Sequence, residues 1–223
     1  EHDLRARSFN MWPGFQASGC QNTTDIQSPG LKLMLSFIHE VWAASDDKMY
    51  TYYLSWLRGL FVNLTGINGV ALAMIAPPGC GKNTLIDFLR YVIGNSSMIV
   101  LNGIERVVGK HNKHIANKRL IVINEMASTR EEFKSNYDRI KPYITDETIT
   151  IEPKGIDSYE IDNITNMIMF SNHRDSILVE RGDRRYGIGE MSDCRKGDLE
   201  YFKRLRSVCF NQDVANEFYT YLL

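Results

Sequence analysis

Between an apolar run and a helical stripe the chain reads Pro78-Gly79-Cys80-Gly81-Lys82-Asn83-Thr84. These residue types suit an anion. Backbone N–H groups from Gly79 to Thr84 can converge on a phosphate, and a helix N-terminus adds its positive dipole end. Lys82 then supplies a point charge for the β- and γ-phosphates. Glycine is needed where a Cβ would hold the phosphate oxygens away. Set against GxxxxGK[ST], the segment Ala76–Asn83 departs twice: Ala76 takes the place of the first glycine, and Asn83 that of the Mg²⁺-binding hydroxyl, with Thr84 one place later.

Three further groups fit the same chemistry. Asn124 and Glu125 end an apolar run, where nucleotide hydrolases place an acidic residue to hold Mg²⁺ or activate water. Asn124 offers only a neutral amide oxygen, so Glu125 is the candidate general base. Asn172 ends another apolar run and suits the orientation of an attacking water, although turns favour Ser-Asn in any case. Arg181, Arg184 and Arg185 crowd one short stretch. Such arginines form either a solvated, salt-bridged surface or a guanidinium that stabilises transition-state charge.

The elements that must position these groups follow from periodicity. Gly69–Ala76 is apolar without alternation, as in a strand buried on both faces of a parallel sheet. Leu85, Phe88, Leu89, Val92 and Ile93 trace a helix that Gly94 can close. "SMIVLNG", "KRLIVINE" and "NMIMFSN" read as further strands. Ser128 and Glu131 have capping-box spacing for a helix carrying Phe133, Tyr137, Ile140 and Ile144. Two alternating runs around Pro153-Lys154-Gly155 predict a β-hairpin. Two helical stripes precede the glycine loop and two more finish the chain, while residues 1–30 read as a polar, turn-rich arm. The expected fold is α/β: a parallel sheet flanked by helices, with a β-hairpin insertion and helical segments at both ends. Residues 1–64 are expected to form an arm and helical segment, and residues 65–223 the phosphate-loop domain.

The bulk composition narrows the field. The 223 residues are 43% hydrophobic, enough to bury one good core. The net charge of −1 advertises no global basic field, so any nucleic-acid contact must come from local patches. One such patch is Arg106, Lys110, Lys113, Lys118 and Arg119, with His111 and His114, which equally suits a solvated connection. Cys20, Cys80, Cys194 and Cys209 are scattered without a CxxC pair, which fits reduced thiols inside a cell. No apolar run reaches membrane-spanning length, and the charged opening is not a signal peptide. The chain opens on Glu1, so it is expected to be a piece of something longer.

The ordered set carries more than any single part. Strand–loop–helix, strand–Asn-Glu, hairpin, strand–Ser-Asn and Arg-Arg together resemble the superfamily 3 helicases, a viral, phage and plasmid branch of the AAA+ ATPases. The "GKNT" loop, "FNMWPGF", "GKHN" and "SNH" followed by "GDRRY" are similar to the branch with poxvirus-type primase-helicases and phage primase-polymerases. The resemblance implies a DNA helicase motor that hydrolyses ATP with Mg²⁺. Pro78, Gly79, Cys80, Gly81, Lys82, Asn83, Thr84 and Asn124 would bind the nucleotide, with Asn83 and Thr84 at the Mg²⁺. Glu125 would be the base and Asn172 the sensor of the γ-phosphate. Arg184 or Arg185 would reach the neighbouring site of a ring, typically a hexamer. Lys154, at the hairpin tip, would contact single-stranded DNA in the channel. A primase or polymerase domain is the expected N-terminal partner, and the setting is intracellular, at sites of viral or phage DNA replication.

Two rival readings remain: a P-loop kinase of small molecules, and a non-hydrolysing module that assembles on DNA or a partner. The second survives because the amides Asn83 and Asn124 at both expected Mg²⁺ positions weaken the metal site and leave the ion leaning on phosphates and water.

Overall fold

A computed structural model of the chain describes residues 12–20, 28–125, 130–172 and 182–223, with backbone alone at 130–133. Ser128, the side chains of Glu131 and Phe133, His173 and Arg181 lie outside the described residues, as do Phe9, Asn10 and Met11 of the lead-in.

The first helix, α1 (Pro29–Phe37), starts where proline suits the first turn, and its cap Ser28 accepts from the Leu31 N–H at 3.1 Å. It runs into a π-helical turn, Ile38–Trp42. Asp46 then caps α2 (Asp47–Val62) through the N–H groups of Lys48 and Met49. The remaining elements in chain order are β1 (Ala71–Ile75), α3 (Lys82–Ile93), β2 (Met98–Asn102), α4 (Glu105–Val108), a 3₁₀ turn (Asn112–Ile115), β3 (Leu120–Asn124), α5 (Arg130–Thr145), β4 (Thr148–Ile151), β5 (Tyr159–Asp162), β6 (Asn166–Ser171), β7 (Tyr186–Glu190), α6 (Leu199–Cys209) and α7 (Gln212–Leu222).

Five strands form one parallel sheet in the order β2-β3-β6-β1-β7, while β4 and β5 pair antiparallel as a separate hairpin. Alternate strand residues face opposite layers, as the pleat requires. Leu72, Met74, Leu120, Val122, Ile168 and Phe170 join one apolar cluster with α1, α2, α3, α6 and α7. Ala71, Ala73, Ile121, Ile123, Met167 and Met169 face the other cluster, with α4, α5 and the hairpin residues Ile149 and Ile151. The chain is therefore a mixed α/β structure, a five-stranded parallel sheet with helices on both faces. Among the described residues no helix is long and apolar enough to cross a membrane.

The β7 strand is not evident in the sequence, because Gly187 and Gly189 depress strand propensity. The structure explains them: Cβ atoms there would collide with the hydroxyls of Tyr52 and Tyr53, which α2 lays against the strand. Residues 12–20 are irregular but anchored, with the Ala17 N–H donating to the Val92 carbonyl at 2.9 Å and Phe15 edge-on to Phe61.

Candidate functional site

The glycine loop leaves β1 beside β6, the Ala76 N–H donating to the Ser171 carbonyl at 2.8 Å. The Cys80 N–H closes back onto Pro77 at 3.1 Å. Gly79 (φ +81°) and Gly81 (φ +93°) adopt the left-handed backbone that side chains resist. Gly81 is doubly required, since a Cβ there would stand 2.5 Å from the Phe202 ring. It caps α3, which begins at Lys82. The N–H groups of Gly79, Gly81 and Asn83 have no backbone acceptor among the described residues. Lys82 is half-buried, its Nζ 5.8 Å from the Phe170 ring centroid and so leaning from the loop toward β6.

Three loop residues differ in what they can offer. Pro78 and Asn83 are exposed, whereas Thr84 is buried and donates its N–H to the Gly81 carbonyl at 2.9 Å. The Cys80 side chain is fully buried in the core, and burial pushes its thiol up from the usual value. It is a neutral packing group, so any contact with an anion would have to come from its backbone.

The other strand ends meet this loop at one edge. Ile75 is level with Ser171, and Ile123 with Met169, so β6 sets Asn172 between the loop and Glu125. Asn172 is half-buried and Glu125 exposed. Glu125 holds φ +57°, an uncommon conformation for a residue with a Cβ, which turns the chain sharply off β3. Asn124 Oδ1 is enclosed with no hydrogen-bond partner among the described residues.

Arg184 and Arg185 are not brought to that edge. They immediately precede β7, and the Arg185 carbonyl accepts from the Ala71 N–H at the opposite end of the sheet. Five residues of β1 separate the two ends, roughly 17 Å at about 3.3 Å per residue. The arginines also differ from each other. Arg185 donates from its N–H and Nη1 to Asp183 Oδ1, at 2.9 and 3.3 Å. Asp183 Oδ2 accepts from the Tyr137 hydroxyl at 2.5 Å, and Tyr137 stacks on Tyr186. Arg184 is exposed and forms no ion pair among the described residues.

The hairpin carries exposed Lys154 on its seven-residue loop, after buried Pro153 and beside Gly155 (φ +72°) and Ile156, which is 65% exposed. Lys154 is the one cation between Glu152 and Asp162, among Glu152, Asp157, Glu160 and Asp162. The hairpin base is rigid. Buried Asn112 donates to the Thr150 carbonyl at 3.0 Å and accepts from the Glu152 N–H at 2.8 Å. Buried Asn163 donates to the carbonyls of Tyr143 and Asp146, tying β5 to the end of α5. The periodicity of the sequence gives no signal for either asparagine, since both act through backbone groups distant along the chain.

The basic cluster expected around residues 106–119 needs one correction. Arg119 is 3% exposed and donates to five carbonyls, those of Gly59, Leu60, Asn63, Gly66 and Ile164, at 2.5–2.9 Å. It closes the C-terminus of α2, where helix carbonyls lack partners and the dipole favours a cation. Burial pushes its guanidinium down to about 10, which leaves it charged at neutral pH. Of its expected companions, Lys118 donates to the Ser96 carbonyl and His114 pairs with the Arg106 carbonyl, while Lys110 and Lys113 are exposed.

A family model described as "Family of unknown function (DUF5906)" matches residues 74–185, half of the chain. Over 154 residues, 68% of its length, the chain is 29% identical to a protein named DNA primase-polymerase from Nitratiruptor phage NrS-1, of which it spans 21%. It is also similar to an apo structure of the NrS-1 C-terminal region, with a TM-score of 0.73, 24% identity and coverage of 87% of this chain and 48% of that one. An A-form apo structure of the same region gives a TM-score of 0.73 at 23% identity, covering 96% of this chain and 48% of that one. At these identities the two structures show the fold alone.

Proposed function

This chain belongs to the DUF5906 family, and from that premise we propose that residues 65–223 form the ATP-hydrolysing motor of a DNA replication protein, of the AAA+ superfamily 3 helicase kind, joined to the helical segment of residues 1–64. The observation that carries this reading is the register of β1, β6 and β3. It puts the loops bearing Lys82, Asn172 and Glu125 on one edge, outside the carboxyl ends of parallel strands, where such sheets bind ligands. The likeness to a protein named DNA primase-polymerase supports a role in DNA replication and a primase or polymerase domain as partner.

The residues fit the implied ligands. Two left-handed glycines give the close backbone approach that a polyphosphate needs, and the N–H groups of Gly79, Gly81 and Asn83 are free of backbone acceptors among the described residues. The enclosed Asn124 Oδ1 needs a donor or a cation, and Asn83 is the other amide able to serve one; Thr84, buried as a residue, keeps its place as the third candidate. Mg²⁺, when bound, supplies neutralisation of phosphate charge.

In the proposed reaction Lys82 pairs with phosphate oxygens. Glu125 accepts a proton from water that Asn172 orients. Because Arg184 and Arg185 stand at the far end of the sheet, they serve the site of a neighbouring copy, which makes hydrolysis depend on a ring, of hexamer type in this reading. Arg184, exposed and without an ion pair among the described residues, is the better finger; Arg185 is held by Asp183. Single-stranded DNA would meet Lys154 at the hairpin tip, whose base α5 links to the loop carrying Glu125.

ATP hydrolysis measured with and without single-stranded DNA tests the reading. We expect stimulation by DNA, loss of turnover in Lys82→Ala and Glu125→Gln, and loss of stimulation with basal turnover retained in Lys154→Ala. Turnover indifferent to DNA would point to a small-molecule kinase, and no turnover under any assembly condition would leave a binding module.

A further inference from the structure

The segment between β7 and α6 runs across the glycine loop. Its path is fixed at the start, where the Met191 N–H donates to the Ile75 carbonyl and the Ser192 N–H to the Val41 carbonyl, both at 2.8 Å. The chain thus leaves β7 alongside the end of β1, where the loop begins. The two basic residues of this segment have different environments. Arg195 is taken up by Glu40, with Nε and Nη2 at 3.0 and 2.6 Å from Oε2, and its guanidinium carbon lies 4.4 Å from the Tyr201 ring centroid. That clamp holds the segment against the helical layer below.

Lys196 is placed otherwise. Its N–H closes a turn onto the Asp193 carbonyl at 2.8 Å, and its side chain lies along Gly79: a Cβ built on that glycine would stand 3.5 Å from Lys196 Cγ and 3.8 Å from Cε. Lys196 is exposed and forms no ion pair among the described residues. The stem therefore rests on the glycine backbone, and the ammonium, one bond beyond Cε, stays in water at the rim of the loop. Lys82 enters the same loop from the helix side, so the two cations flank one run of N–H groups. Asp193 and Glu125 add negative charge at this edge of the sheet, which a polyphosphate would increase further.

We propose that Lys196 is a second cation of the nucleotide site, contacting the polyphosphate from the same chain that supplies Lys82. The proposal rests on the reading of the glycine loop as an ATP site. It adds to that site a contact that comes from the segment before α6, in neither the loop nor the strand ends. The fixed backbone around Lys196 gives the ammonium a short arc of travel over Gly79, so binding draws on one charge-assisted hydrogen bond without reordering the chain.

Calorimetric titration of the purified chain with ATP in the presence of Mg²⁺ tests this. Lys196→Ala should weaken ATP and ADP binding about tenfold, the weight of one hydrogen bond to a charged group, and Lys196→Arg should retain most of the affinity. A second measurement maps acylation of lysine amines by an N-hydroxysuccinimide ester: ATP should shield Lys196, adenosine should not, and exposed Lys203 on α6 should react equally throughout. If the wild-type chain binds ATP while Lys196→Ala binds equally well and Lys196 acylates unchanged, the assignment of Lys196 is overturned and the site stands. If the wild-type chain has no affinity for ATP, the reading of the loop itself fails, and the assignment with it.

Discussion

The Arg185 carbonyl accepts from the Ala71 N–H at 2.8 Å, and that bond pins the arginine turn to the amino end of β1 while Lys82 follows its carboxyl end. A chain built this way keeps the glycine loop, the proposed phosphate cradle, and the two arginines at opposite ends of one strand within a single copy. If both act in one reaction, as proposed, they must come from two copies.

Mixing experiments should expose this division. Arg184→Ala is expected to lower hydrolysis at least about a thousandfold with the fold intact, in line with a lost arginine finger. Equal mixtures of Arg184→Ala and Lys82→Ala subunits should recover part of the turnover, since some interfaces then hold one intact cradle and one intact finger. Arg185→Ala should act chiefly on stability, because its partner Asp183 loses an ion pair. Failure of every mixture to recover activity, with assembly shown intact, would refute the trans arrangement.

Asp183 makes an acid-side prediction. Burial pushes its carboxyl up, but hydrogen bonds from Tyr137 and Arg185 outweigh that and hold it below the usual carboxylate range. The folded state therefore binds this proton less readily than the unfolded chain, whose value is about 3.9. The stabilisation is complete above that pH and is lost as pH falls through the folded value. Urea midpoints at successive pH values should show a shallower acid slope in Asp183→Asn than in wild type. Identical slopes would remove Asp183 from the account.

Arg119 should prove a structural residue of the first rank. Replacing it with Met leaves five carbonyls at the end of α2 and its following loop without their donor, and we expect a loss of about 3 kcal/mol or more. For a chain of this length that corresponds to a fall in Tm of about 6–12 °C. Arg119→Lys should recover little, because a single ammonium cannot span the carbonyls that the planar fork reaches. A change below 1 kcal/mol on the chemical-denaturation scale would contradict the hub role.

Magnesium provides a prediction of absence. With neutral amides at Asn83 and Asn124, the nucleotide-free chain should bind Mg²⁺ only weakly, with no saturation at micromolar concentrations by calorimetry. Asn124→Asp should tighten it. Micromolar binding by the unmodified apo chain would show that another ligand set holds the ion.

Much of the scaffold was legible in one dimension. Buried parallel strands need continuous apolar runs, and left-handed turns need glycine, so β1, β3, β6 and the Gly79–Gly81 loop announce themselves within a few residues. Alternation on either side of a Pro-Lys-Gly turn likewise marks the hairpin, and strand-terminal Asn-Glu and Ser-Asn are visible as polar stops. Those signals are short-range, and the sequence alone determined them.

Tertiary structure decided everything that depends on distant partners. Whether a cation is buried is set by the supply of acceptors: Arg119 draws carbonyls from residues 59–66 and from Ile164, and nothing beside it in the chain foretells that. The same holds for Arg184 and Arg185, adjacent in sequence but set in different surroundings by the position of Asp183, and for Gly187 and Gly189, which leave room for two tyrosines of α2 on a strand that pairs with β1. Lys196 reads as one more surface lysine until β7 and α6 bring it onto Gly79. Local sequence sets the conformation of a segment over a few residues; the identity of a side chain's neighbours is settled only when packing brings the segments together.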